Sequence, residues 1–186
     1  EVGSEIKPNQ TVVSIMAGLK ISRIRHFVSG EVPLVRVMPN TPCLIREGVC
    51  AYSPSENCPP QMEKVVEQLL GAVGEVIRIE EEQMDAVTGL SGGGPAYIYV
   101  VMEALVDAGV HVGLSREVAK KLVFHTVSGA AQMALKTGKH TGELKDQVTS
   151  PGGTTITGIR ELERGRIRSD LYDCVIASVE RSRELG

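Results

Sequence analysis

Thr11-Val12-Val13-Ser14-Ile15-Met16-Ala17 is the stretch on which the fold turns. It is rich in β-branched residues and ends at Ala17-Gly18, which reads as a buried parallel strand followed by a tight turn. Outward from it, strand and helix patterns alternate. Ile21, Ile24 and Val28 share one face of a short helix. Leu34-Val35-Arg36-Val37-Met38 is a second strand, stopped by Pro39-Asn40-Thr41-Pro42 because neither proline can donate to a ladder. Residues 48–52 form a third apolar run, ended by Ser53-Pro54. Pro59-Pro60 then opens a helix with Val65, Val66, Leu69 and Leu70 on its inner face. Gly74-Glu75-Val76-Ile77-Arg78-Ile79 alternates as a half-buried strand does. Such alternation predicts an α/β layer arrangement.

Beyond about residue 82 the strand signal fades. Asp85 to Pro95 contains a glycine cluster that either lets two backbones approach closely or makes a flexible turn, with Pro95 in the first turn of a long helix. Ile98, Val101, Met102, Leu105 and Val106 recur there at helical spacing, and Ala96, Ala104 and Ala108 add small faces. A helix this apolar suits a helical core or a subunit interface. Ser115 is the expected N-cap of the next helix, which carries Val118, Leu122, Val123 and Val127 and ends near Gly138. A short helix lies within 142–148. Another bears Ile156, Ile159 and Leu162 and stops at Gly165; the last, capped by Ser169, bears Leu171, Val175 and Val179. Five helical segments with short connections predict an all-α second domain.

The 186 residues carry 20 Lys and Arg against 23 Asp and Glu, a net charge of −3. Nothing in that balance suggests a nucleic-acid surface or a polybasic membrane anchor. Cys43, Cys50, Cys58 and Cys174 show no C-x-x-C pair and no zinc spacing, so they read as reduced thiols of an intracellular protein, cytoplasmic ahead of mitochondrial. No apolar run reaches membrane-spanning length, and no membrane contact is expected. None of the four histidines has a partner in sequence that would give it chemistry.

In open α/β sheets ligands sit beyond the carboxyl ends of the strands, which singles out the loops at Met16-Ala17-Gly18 and at Met38 to Pro42. Asn40 there is a turn residue on the plain reading and an amide beside a cofactor ring on the sharper one. Ser150-Pro151-Gly152-Gly153-Thr154-Thr155 joins two helices. It is either an ordinary turn or, with free N–H groups at a helix start, a cradle for a small anion. No G-x-G-x-x-G opens a strand–helix unit, and Gly92-Gly93-Gly94 lacks the spacing. A dinucleotide's phosphate-binding turn would therefore lie before Glu1.

Three stretches carry a resemblance that extends over essentially the whole chain. Val37-Met38-Pro39-Asn40-Thr41-Pro42, residues 85–97 and residues 144–155 are similar, in order, to pyrroline-5-carboxylate reductase. The resemblance implies an α/β Rossmann-type portion, truncated at its N-terminus (residues 1–80), followed by an all-α helical dimerisation domain (81–186). It implies hydride transfer from NADPH or NADH to the C=N bond of 1-pyrroline-5-carboxylate, giving L-proline. It further implies a homodimer through the helical domain, with assembly to decamers. On the same basis Ser150, Gly152, Gly153, Thr154 and Thr155 bind the substrate carboxylate and Glu81 contacts the substrate. Ile15, Ala17, Asn40 and Gln147 lie near the nicotinamide, and Thr88 supplies a hydroxyl to the ring nitrogen. Gly93 stands where many relatives have serine, Pro39 where some have a small polar residue, and no carboxylate precedes His140 as it does in others. The competing readings are a catalytically silent helical dimerisation module and a hydroxyacid dehydrogenase. The latter is disfavoured because residues 92–106 contain no lysine.

Overall fold

The computed structural model describes residues 6, 7 and 9–186; whatever precedes Glu1 lies outside them. Four strands form one sheet in the order β1 (Val12–Ser14), β2 (Leu34–Pro39), β3 (Gly48–Pro54) and β4 (Gly74–Arg78). β1 and β2 are parallel, as are β3 and β4, and each pair is joined by a connection carrying a helix, α1 (Ile21–Arg25) or α2 (Pro60–Gly71). β2 and β3 are antiparallel. Only the 3-10 turn Thr41–Ile45 separates them, too short for a crossover, and Arg46 reverses the chain at φ 63°.

The opening stretch is therefore a strand only in part. β1 has a single neighbour among the described residues, only Ser14 of it is buried, and Ile15, Met16 and Ala17 have left the ladder for a loop. The central strand is β2, in which Leu34, Val35, Arg36 and Val37 are all buried. Val35, Val37, Cys50, Tyr52 and Val66 of α2 make the core of the sheet, each fully buried apolar side chain contributing roughly 1.5–3 kcal/mol. Pro39 does not stop β2; it is the strand's last residue and pairs with Cys50.

After Glu81–Gln83, a 3-10 turn, α3 (Met84–Val87) runs into a π-helical turn, Thr88–Gly92, where Gly93 N donates to Thr88 O at 3.0 Å. The Gly92-Gly93-Gly94 cluster thus lies at the junction of the π-turn and α4 rather than in a flexible turn. The close backbone approach falls just before it, at Gly89, where a Cβ would lie 2.5 Å from Val179 Cγ2 and 3.0 Å from Val175 O. The remaining helices are α4 (Gly94–His111), α5 (Arg116–Thr137), α6 (Thr141–Gln147), α7 (Thr154–Arg164) and α8 (Ile167–Leu185). Ser115 caps α5 by accepting from Val118 N, as its position predicts. Ser169 caps nothing; α8 begins earlier, at Ile167, just after Arg166 turns the chain at φ 61°.

The chain forms two compact units. The sheet unit comprises residues 1–95 and 173–186, and the helical unit residues 96–172. The end of α8 returns to the sheet unit. Ser182 Oγ donates to Asp85 Oδ1 at 2.8 Å, and a Cβ on Gly18 would lie 2.8 Å from Ser182 O. Both contacts are long-range: the first lies within residues 81–186, and the second joins that segment to the loop after β1. In the helical unit only Val106 and Ala119 are buried apolar residues.

Candidate active site

Five of the expected site residues lie in the sheet unit: Ile15, Ala17, Asn40, Glu81 and Thr88. The other six, Gln147, Ser150, Gly152, Gly153, Thr154 and Thr155, lie in the helical unit.

In the sheet unit, β1 and β2 run parallel, so the loops that follow them emerge at the same edge. Ile15 and Met16 are 64% and 52% exposed there and offer apolar surface. Asn40 begins the 3-10 turn after β2. Its Oδ1 accepts from Val49 N at 3.0 Å and lies 4.0 Å from Cys43 Sγ. The amide is thus first a brace between β2 and β3, which fixes where its remaining nitrogen can point.

Thr88 sits where α3 passes into the π-turn. Its hydroxyl donates to Met84 O at 2.9 Å, so its oxygen is left to accept rather than to donate. Glu81 is less available than expected. Its Oε1 accepts from Ile21 N at 2.6 Å, capping α1, and faces Arg36 Nη1 at 3.5 Å. Sequence reasoning missed this Arg36 cluster. The guanidinium is 3% exposed, with Glu81 on one side and Asp85 Oδ1 at 3.6 Å on the other. The signal was present in Leu34-Val35-Arg36-Val37: an arginine inside a buried strand requires carboxylate partners.

In the helical unit, the cradle stretch is built as a helix start. Ser150 O accepts from Gly153 N at 3.0 Å, and Gly152 has φ +68°. A Cβ on Gly153 would lie 2.3 Å from Ser150 Oγ and 3.2 Å from Ser150 O, so a side chain there would require the serine hydroxyl to turn away. Gly153 is the N-cap of α7 and provides no side-chain cap. The first N–H groups of α7 therefore face outward beside exposed Thr154 and Thr155, and the eleven-residue helix adds its dipole. Thr157 Oγ1 turns back onto Gly153 O at 3.0 Å. Gln147 ends α6, its amide donating to Glu143 Oε1 at 3.2 Å. Among the described residues, no group of three or more His, Cys, Asp or Glu is placed to hold a metal.

Residues 81–185 match the family model described as pyrroline-5-carboxylate reductase dimerisation. The chain is 48% identical to pyrroline-5-carboxylate reductase of Arabidopsis thaliana over 186 residues, all of this chain and 67% of that one. It is 45% identical to the Methanosarcina acetivorans enzyme of the same name, covering 98% of this chain and 68% of that one. Its structure matches the crystal structure of Plasmodium falciparum pyrroline carboxylate reductase with NADP bound, with a TM-score of 0.90 at 39% identity over 95% of this chain and 71% of that one. The class is that of reductases with a sheet portion followed by a helical dimerisation domain. Within it, the chain belongs to the pyrroline-5-carboxylate reductase family. It spans about two thirds of the length of these relatives.

Proposed function

We propose that this protein reduces the C=N bond of 1-pyrroline-5-carboxylate to L-proline, using hydride from NADPH or NADH, as the final step of proline biosynthesis. The observation that carries the reading is the uncapped start of α7 within a chain of this family. It supplies backbone donors, two threonine hydroxyls and a helix dipole for one small carboxylate.

The residues divide the work. Thr154 and Thr155 hold the carboxylate, with Ser150, Gly152 and Gly153 shaping the turn. The nicotinamide, when bound, supplies the hydride. Ile15 and Ala17 give it an apolar floor and Asn40 and Gln147 fix its amide. The exposed apolar loop after β1, beside the Asn40 turn, suits such a ring. Thr88 accepts a hydrogen bond from the protonated imine, since its own proton is engaged by Met84 O. A protonated C=N needs only hydride to become a neutral amine, so the site requires no general acid of its own. Any contact of Glu81 with substrate uses Oε2, because Oε1 is occupied.

The family supports homo-oligomerisation. We infer a homodimer through the helical domain, with the Ser150–Thr155 loop of one copy serving the sheet portion of another, and further assembly to decamers. The exposed apolar side chains Tyr99, Val100 and Leu105 of α4 and Leu122 and Phe124 of α5 support that interface. Among the described residues no helix is long and apolar enough to cross a membrane, and we place the enzyme in the cytoplasm. The test is NAD(P)H oxidation assayed with 1-pyrroline-5-carboxylate on the full-length gene product. Stoichiometric L-proline is expected; a stable, assembled protein that forms none is the silent dimerisation module instead.

A further inference from the structure

Cys43 and Cys50 face each other across the turn that carries Asn40. Their sulfurs are 3.6 Å apart. Cys43 lies in the 3-10 turn and is half-buried, whereas Cys50 in β3 has no exposure at all. The space for this pairing is built into the backbone. A Cβ on Gly48 would lie 2.1 Å from Cys43 Sγ, so the sulfur occupies room that only glycine leaves. Burial, with Cys43 beside it, raises the Cys50 thiol to about 11. Cys50 is therefore protonated at neutral pH and not itself the first target of an oxidant.

We propose that Cys43 and Cys50 are a thiol oxidation site that closes to an intramolecular disulfide under peroxide, and that this closure loosens the hold of the Asn40 turn on the cofactor. The second half rests on the reading of Asn40 as a cofactor residue. The Cys43 thiolate attacks one peroxide oxygen, the O–O bond breaks, and hydroxide leaves, giving a sulfenic acid. The Cys50 sulfur then attacks the Cys43 sulfur, the S–O bond breaks, and the hydroxyl leaves as water with the Cys50 proton. Two thiols are oxidised, and one hydrogen peroxide is reduced to two waters. A disulfide needs a sulfur separation of about 2.05 Å, so the sulfurs must close by roughly 1.5 Å. Cys43 Sγ also contacts Asn40 Oδ1. Drawing it toward β3 removes that donor and displaces the turn that positions the amide. An intracellular disulfide of this kind is transient and redox-sensing rather than structural.

The test treats the purified protein with hydrogen peroxide and maps tryptic peptides without reduction. Cleavage after Arg36, Arg46 and Lys64 separates residues 37–46, with Cys43, from 47–64, with Cys50 and Cys58. The expected result is these two peptides joined with loss of two hydrogens, fragmentation placing the link at Cys50. The KM for NADPH should rise about three-fold or more, as for loss of a hydrogen bond, and recover with dithiothreitol. Cys50→Val, which leaves the Cys43–Asn40 contact in place, should keep reduced-state turnover and KM and lose the peroxide response; Cys43→Ala should lose the peroxide response whatever its basal KM. A link from Cys43 to Cys58, or both thiols remaining open to alkylation, overturns the site. A Cys43–Cys50 link with unchanged KM overturns the coupling to the cofactor. Asn40→Ala in the reduced protein separates the two readings, because an unchanged KM there removes Asn40 from the cofactor site whatever the cysteines do.

Discussion

The sheet unit and the helical unit differ in where they keep their apolar residues. In the first, Leu34, Val35, Val37, Cys50 and Tyr52 are buried within the chain itself. In the second, Val106 and Ala119 are the buried apolar residues, while Val100 is 66% and Leu135 83% exposed. The helical unit thus carries an apolar surface that its own chain leaves uncovered, as a family named for dimerisation requires. The first unit is stabilised by burial within the chain; we propose that the second is stabilised by assembly.

The largest expected effect breaks that difference from the helical side. Leu105→Arg puts a charge on the uncovered face of α4 and should leave a monomer in light scattering, with turnover reduced by about a hundred-fold or more. Turnover by a verified monomer would remove assembly from the account. On the sheet side, Arg36→Met leaves Glu81 and Asp85 without their shared cation. Chemical denaturation should show a loss of about 3 kcal/mol, the usual cost of breaking a buried pair from one side. A loss below about 1 kcal/mol would mean the cluster is solvated.

Much of the secondary structure was legible in the sequence, because it rests on local signals. The Pro59-Pro60 helix start, the alternation in β4 and the Ser115 cap each depend on residues within a few positions of one another. The turn and helix start at Ser150 to Thr155 were legible for the same reason: they share six residues. What the sequence concealed is non-local. Residues 11–17 read as one buried strand, but burial depends on neighbours, and among the described residues β1 has only β2. The antiparallel step into β3 follows from the shortness of a connection whose 3-10 turn has no strong signature. The partners of Arg36 lie 45 and 49 residues away and the bond from Ile21 N to Glu81 spans 60, so no local pattern announces either.

Smaller effects sharpen the comparison. Thr155→Ala should raise the KM for 1-pyrroline-5-carboxylate about ten-fold with little change in kcat, as expected for one charge-assisted hydrogen bond. An unchanged KM removes the cradle. The smallest effect concerns the Tyr52 phenol, which lies 2.9 Å from Glu63 and 2.5 Å from Glu67, while Arg78 Nε donates to Glu63 at 2.7 Å. Burial pushes the Glu63 carboxyl up, but the bonds from Tyr52 and Arg78 outweigh it and hold it below its ordinary value. Its stabilising contribution is therefore present above the unfolded value, about 4.3, and is lost as pH falls through the lower folded one. Burial, then Glu67 and Glu63, raise the phenol. Its contribution is complete below about 10 and is lost at higher pH. Glu63→Gln should flatten the acid limb of a denaturation–pH profile; an unaltered limb would assign acid lability elsewhere.

The central claim is that one reaction uses the sheet portion of one copy and the α7 loop of another. It is tested most directly by co-expressing two variants that are inactive alone, Thr88→Val and Thr155→Glu. In a mixed two-fold assembly, one site carries both changes and the other carries neither. The account predicts recovery of about a quarter of wild-type turnover from random pairing. Recovery no greater than the sum of the separate variants, in material shown to contain mixed dimers, would contradict it.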